Sequence, residues 1–326
     1  MGSRVLIALF FAATLAACNS HASSPVTPYA ITPAAQVLTS PTATPGWSSF
    51  TYSGNIQGMT AGPDGAMWAT MTDGSVSRID VLGNQTSYAV GGVAQEFIVS
   101  LQGDLYVYEL LSGGISGIAK VTTGGQVTDY PLSNDFVQSM APAGVGLWMI
   151  RVNQSTGTYL TRMDTSGNTF NYSDTVGQGF LDIVQGADKN LWAAASVSGI
   201  VRISRRDGSQ TFFSVDESET PYTLGSDKLL WTVVTSRATS VDVNGNSSNY
   251  RLAKNLRGFP QVATPHVIWW IAGTPIELHG FNTTTHRISK NIALPVQTNY
   301  SGPLALGPDK RLWAAINGTM YLYTIK

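Results

Sequence analysis

One short pattern recurs along this chain and limits what the chain is able to fold into. Thr60-Ala-Gly-Pro-Asp-Gly-Ala-Met-Trp68 returns as Val184-Gln-Gly-Ala-Asp-Lys-Asn-Leu-Trp192, as Thr223-Leu-Gly-Ser-Asp-Lys-Leu-Leu-Trp231 and as Ala305-Leu-Gly-Pro-Asp-Lys-Arg-Leu-Trp313. In each copy an apolar run meets a tight turn and then a second apolar run that holds a Trp, which is the pattern of a β-hairpin. Within Gly-Pro-Asp-Gly the Pro presets φ, the Asp bonds its own backbone and the Gly accepts positive φ. Looser copies place Tyr106, Trp148 and Trp269 at the Trp position, giving seven anchors spaced about 40 residues apart. A period near 40 that encodes four short strands is that of a propeller blade. The expected fold is all-β: a seven-bladed β-propeller with four-stranded blades.

The strands of one repeat can be read in order. Ile56–Ala61 is the innermost strand a, Met67–Met71 strand b, Ser75–Asp80 strand c and Gln85–Ala89 the outer strand d. Gly-rich turns such as Leu82-Gly-Asn84, Ser166-Gly-Asn168 and Asn244-Gly-Asn246 separate c from d. The two ends of the repeat region complement each other. Met320–Ile325 reads as a strand c with no d after it, and Ser48–Tyr52 as a strand d with nothing before it. Pairing them closes the ring through an N-terminal outer strand and removes its open edges. Repeat six is the weakest copy, shortened and interrupted by Pro275 and Pro295.

Residues 1–45 are different in kind. Arg4 precedes an apolar run from Val5 to Ala17, 13 residues long, which is too short to span a bilayer and fits a signal-peptide core. The run ends Leu15-Ala16-Ala17-Cys18, which resembles the bacterial lipobox and implies lipidation of Cys18, the sole cysteine. Residues 18–45, rich in Ser, Thr, Pro and Ala, carry no charge and read as a disordered tether. The organisation expected is a signal peptide over 1–17, the tether over 18–45 and the propeller over 46–326. The protein is expected in the bacterial cell envelope, held by its lipid and leaning towards the outer membrane, as a monomer. Only 12% of residues are charged and the net charge is −1, so no basic field exists to attract nucleic acid.

Gly62-Pro-Asp-Gly-Ala-Met-Trp68, then Ser77-Arg-Ile-Asp80, then an outer strand bearing Tyr, together with Tyr130-Pro-Leu132, resembles the repeat of virginiamycin B lyase-type propellers. Propellers with NHL-type repeats share much of it. The resemblance implies opening of a cyclic depsipeptide by elimination, with a histidine base, glutamates and a magnesium ion. A base near neutral pKa removes the proton beside a carbonyl, and a cation stabilises the developing enolate. In that family an acid follows the Trp at the end of strand b. The matching residues here are Met71, Glu109, Arg151, Ala195, Val234, Ala272 and Ile316, and only Glu109 keeps the acid. His279, with Glu277 two residues before it on the same strand face, is the candidate base.

Propeller sites usually lie on the face of the d–a and b–c loops, around the channel. The starts of strand a place Gln57, Glu96 and Gln138 at equivalent positions there, with Leu181, Thr220, Phe259 and Gly302 in the other repeats. Arg151, Arg237 and Arg257 come from loops on the same face. The binding candidates are Gln57, Glu96, Gln138, Arg151 and Arg257. Asp64, Asp188, Asp227 and Asp309 are read as caps of their own turns rather than as metal ligands. No Gly-x-Ser-x-Gly elbow, phosphate loop or zinc spacing is present. Two functions stay open: a scaffold binding a small molecule, glycan or protein without a cofactor, and a lyase-type enzyme, which alone would call for magnesium.

Overall fold

A computed structural model describes residues 45–196, 198–215, 222–234, 236–252, 261–273, 275–296 and 302–325. Residues 1–44 with Cys18, and the loop residues Thr220, Arg257, Phe259 and Tyr300, lie outside the described residues. Among the described residues, the strands form seven antiparallel sheets of four strands each. Six follow chain order from strand a to strand d. The seventh takes Leu304–Leu306, Leu312–Ile316 and Thr319–Tyr323 from the C-terminal end and Trp47–Thr51 from the start of the propeller. The ring therefore closes as the sequence predicts.

The closing strand begins one residue before its expected start because Trp47 belongs to it. Trp47 pairs with Tyr323 in register, and the two rings lie 5.1 Å apart. In blade 1, strands a (Ile56–Ala61) and b (Met67–Met71) have the expected bounds. Strands c (Val76–Ile79) and d (Gln85–Tyr88) are trimmed by a residue or two at their ends. Blade 6 is complete despite its weak sequence, with strand a cut to Val262–Thr264.

The core is not at the centre of the ring. Seven apolar clusters occur among the described residues, one at each junction between neighbouring blades. Every strand b is covered by a blade on both sides, which is why its residues are almost continuously apolar. The seven anchors sit in these strands, between 0% and 1% exposed. Each Trp removes enough surface from water to contribute on the order of 5 kcal/mol of transfer free energy.

A second repeated device joins blade to blade. An aromatic residue of strand d stacks beside the Trp of its own blade: Tyr88 on Trp68, Tyr172 on Trp148 and Phe213 on Trp192, at 5.3 to 5.6 Å. Its other side covers the c–d turn glycine of the next blade. A Cβ at Gly208 would lie 2.2 Å from the Tyr172 ring, and Gly208 also has φ of +74°. In blade 6 the glycine is replaced by His286, which adopts φ of +55° and stacks its ring 4.0 Å from Tyr250.

The strand order fixes two faces. The a–b and c–d turns form one, called the turn face, where the propeller chain also enters at Gly46 and leaves after Tyr323. The b–c hairpins and the d–a crossovers form the other, the rim face. The rim is uneven, since strands b and c of blades 2 and 3 (Asp104–Leu110, Ser116–Thr122, Gly146–Asn153, Gly157–Met163) are longer than those of blades 1 and 4.

Candidate functional site

The recurring Asp residues are settled by their contacts. Asp64 accepts hydrogen bonds from the Ala66 amide (3.3 Å) and the Trp68 indole (3.0 Å), and pairs with Arg78. Asp188, Asp227 and Asp309 bond the indoles of Trp192, Trp231 and Trp313 in the same way. Each Asp thus caps its own turn and also holds the Trp four residues on. Blade 6 substitutes Thr264 for the Asp, with its hydroxyl 2.8 Å from the Trp269 indole nitrogen, while the Trp148 indole nitrogen is buried without a partner. All of this lies on the turn face.

On the rim face, the residue three after each anchor is apolar in five blades and ionisable in two. Glu109 is fully buried. Its Oε2 accepts from the Gly92 amide at 2.8 Å and its Oε1 is enclosed without a partner. Burial first, and then the nearby Asp129 carboxylate, push its carboxyl up to about 7. Arg151, 4% exposed, bonds the Ser133 hydroxyl, lies 3.5 Å from Asp135 and sits 5.4 Å from the centre of the Tyr159 ring. Asp135 also receives the Tyr159 hydroxyl and the Asn153 amide. The Tyr159 hydrogen bond is the main reason its carboxyl is held below the usual range. Burial, then this same bond, push the Tyr159 hydroxyl up. Arg151 is therefore the centre of a buried polar network between blades 2 and 3, with its Nε enclosed without a partner.

The aligned starts of strand a share a physical device. In blades 1, 3 and 4 the pairing of strand a with strand b slips at Gln57, Gln138 and Leu181, and in blade 2 it slips over residues 95–97 around Glu96, so each sits at a β-bulge. A bulge re-aims the side chain it carries. With its amide nitrogen turned inward, Gln57 reaches the Ala94 carbonyl of blade 2 at 3.3 Å. Gln138 donates to the Leu181 carbonyl of blade 4 at 3.1 Å. Both glutamines thus bridge neighbouring inner strands. Glu96 alone among these polar residues is exposed. Its backbone lies so close to blade 1 that a Cβ on Gly58 would meet the Glu96 carbonyl at 1.8 Å.

One rim-side acid was not singled out from the sequence. Asp182 follows the bulge at Leu181, accepts from the Ser139 hydroxyl at 2.6 Å and from the Tyr222 amide, and burial raises its carboxyl. It ties blades 3, 4 and 5 together around the channel. The available signal was that Ser139 and Asp182 each stand one residue after an aligned bulge position.

The histidines do not gather at the rim. His279 lies in strand c of blade 6 (Glu277–Asn282), 1% exposed, with Nδ1 2.7 Å from Asn291 Oδ1 and Nε2 3.3 Å from the Ala272 carbonyl. Glu277 begins that strand and is half-buried. His266 and His286 are on the turn face, the first 3.2 Å from the Thr284 hydroxyl through Nδ1. Among the described residues, no group of three or more His, Cys, Asp or Glu converges as a metal cluster would.

The sequence profile of the virginiamycin B lyase family matches residues 50–322. Among solved structures, one described as a streptogramin B lyase is 20% identical with a TM-score of 0.71, covering 86% of this chain and 97% of its own. Virginiamycin B lyase from Staphylococcus aureus is 17% identical with a TM-score of 0.72, covering 86% and 99%. A catalytically inactive variant of that enzyme, solved with quinupristin, gives 17% and 0.71 over the same shares. No curated protein matches the chain.

Proposed function

The chain belongs to the virginiamycin B lyase family, and from that premise we propose that it is a ligand-binding propeller that does not carry out the family's elimination. The observation that carries this reading is the placement of the histidines. His279 is enclosed with both ring nitrogens engaged, and the other two described histidines face away from the rim. A general base must reach the proton that it removes. The rim instead offers the exposed Glu96 carboxylate and the raised walls of blades 2 and 3, where Val93, Ile115 and Phe136 are 37% to 51% exposed. That combination of an acid and apolar surface suits an amphipathic ligand. Because a structural relative holds quinupristin, a type B streptogramin is the first ligand to try.

The protein is incubated with such a cyclic depsipeptide and magnesium. Binding is followed by the shift of the melting temperature, and the ligand is recovered for mass spectrometry. The expected result is a raised melting temperature with only intact ligand, and a smaller shift in Glu96→Gln. A linear product that is lost in His279→Ala would establish the lyase reading instead.

We also propose that Cys18 carries a lipid anchor, with residues 18–45 as the tether. Several acyl chains give a firm membrane hold. Cys18→Ser should move the protein from the membrane to the soluble fraction, and unchanged retention would refute the anchor.

A further inference from the structure

We propose that Glu109 and Asp129 share one proton, and that this proton latches the crossover between blades 1 and 2 onto the rim of blade 2. The two acids come from different strands. Glu109 stands near the end of strand b, and Asp129 in strand d (Val127–Pro131), on the sheet face that packs against blade 1. Between them, strand c places Gly117 opposite Glu109, and a Cβ there would lie 3.1 Å from Glu109 Oε1. The missing side chain leaves the Glu109 carboxyl free to reach Asp129.

Both acids hold the same piece of backbone. Glu109 Oε2 accepts from the Gly92 amide at 2.8 Å, and Asp129 Oδ1 accepts from the Gly91 amide at 3.3 Å. Gly91 and Gly92 are the crossover itself. This leaves Glu109 Oε1 fully buried without a donor. Two carboxylates cannot satisfy each other, whereas a proton on Glu109 donated to Asp129 gives Oε1 a partner and removes one charge from the pair. Asp129 is exposed, and its Oδ1 already accepts from the Gly91 amide.

The other elements around Glu109 contribute no competing charge. Strand a offers Ala94 and strand c Gly117, and the blade 1 hairpin whose Gly74 carbonyl accepts from the Ala94 amide carries Asp73, which is not among the groups acting on Glu109. Among the described residues, Asp129 is the one titratable group acting on it.

Raising the folded value above the usual 4.5 means that the folded state holds a proton that the unfolded chain releases. The pair's contribution is complete below about pH 4.5 and drains as pH climbs through about 7. Loss of the proton to solvent leaves a buried carboxylate beside a second one. The repulsion and the buried charge outweigh the firmer hold of an ionised Glu109 on the Gly92 amide, so the two acids part and the crossover opens to water. The crossover runs directly into the strand that bulges at Glu96, so the latch controls the approach to the exposed acid of the rim.

Hydrogen exchange of the full chain tests this, read on peptides spanning residues 89–95 at about pH 6 and about pH 8.5, with rates corrected for intrinsic exchange. The wild-type crossover is expected to lose protection about tenfold at the higher pH. Glu109→Gln, which keeps a donor at the buried site, and Asp129→Asn are each expected to abolish that change. A wild-type crossover whose protection does not depend on pH overturns the proposal. So does the same drop in both variants. Should Glu109→Gln fail to fold, Asp129→Asn decides alone, because its position is exposed.

Discussion

The two faces of this propeller are made by the same strands and follow opposite rules. On the turn face, each device is copied around the ring: the Asp that bonds a Trp four residues later, and the aromatic ring that covers a neighbour's glycine. On the rim face the strand-a bulge is copied in blades 1 to 4, but the side chains it carries and those at the ends of strand b vary. The residue three after the anchor is apolar in five blades (Met71, Ala195, Val234, Ala272 and Ile316), whereas Glu109 and Arg151 each enter a polar arrangement of their own. Repetition marks what every junction needs in order to pack. Departure from it marks where a single blade has acquired its own task. The most conspicuous motif in the chain is therefore the least informative about function.

Substitutions break this contrast to different degrees. Trp192→Ala should cost about 3–5 kcal/mol in urea unfolding, since it empties a junction that cannot collapse. Gly208→Ala should cost about 1–3 kcal/mol, because the new Cβ meets the Tyr172 ring at a positive φ. The control is Gly157→Ala on the rim, also at positive φ but with open space around it, for which about 1 kcal/mol is expected. If these two glycines cost the same, the blade-to-blade contact is not what the turn glycines serve. Asp188→Ala should cost about 1–2 kcal/mol by leaving the Trp192 indole and a turn amide unpaired. Glu96→Gln should fall within about 0.5 kcal/mol of wild type while weakening ligand binding.

Acid sharpens the contrast further. On the turn face, the Asn168 side chain holds the Asp164 carboxyl below its usual range, and the Ser204 hydroxyl and the Ser209 backbone and side chain hold Asp207 at about 2. Folded values below the unfolded ones mean stability that is present above about pH 4 and lost as pH falls towards 2. The Glu109 pair on the rim runs in the opposite sense. Melting temperatures should therefore decline on both sides of a maximum near about pH 4.5, and Glu109→Gln should flatten only the alkaline side.

Sequence legibility follows the same division. The ring, its seven blades, the closing strand and the role of the turn Asp residues were all legible because each is written several times, so weak copies such as blade 6 could be placed by the strong ones. The bulges were visible only as an alignment of Gln57, Glu96, Gln138 and Leu181; that two of these side chains reach a neighbouring blade depends on how closely inner strands approach. Glu109 was legible as an acid at a rim position but not as a buried one. A polar side chain at a strand end faces water or the next blade according to what the crossover above it does, and two glycines at 91 and 92 give little warning that they cover an acid. Asp182 was missed because its meaning lies in Ser139, on a different blade.

The closing strand has a mechanical consequence. Trp47–Thr51 runs from the turn face towards the rim, and the chain preceding it leaves at the turn face beside Tyr323. A pull on that chain, opposed by a partner held on the rim, is directed along the strand. The ladder to Thr319–Tyr323 is then loaded in shear, so its hydrogen bonds and the Trp47 contacts must yield together rather than one by one. Under such a load the five residues that seal the ring would be the ones to bear it.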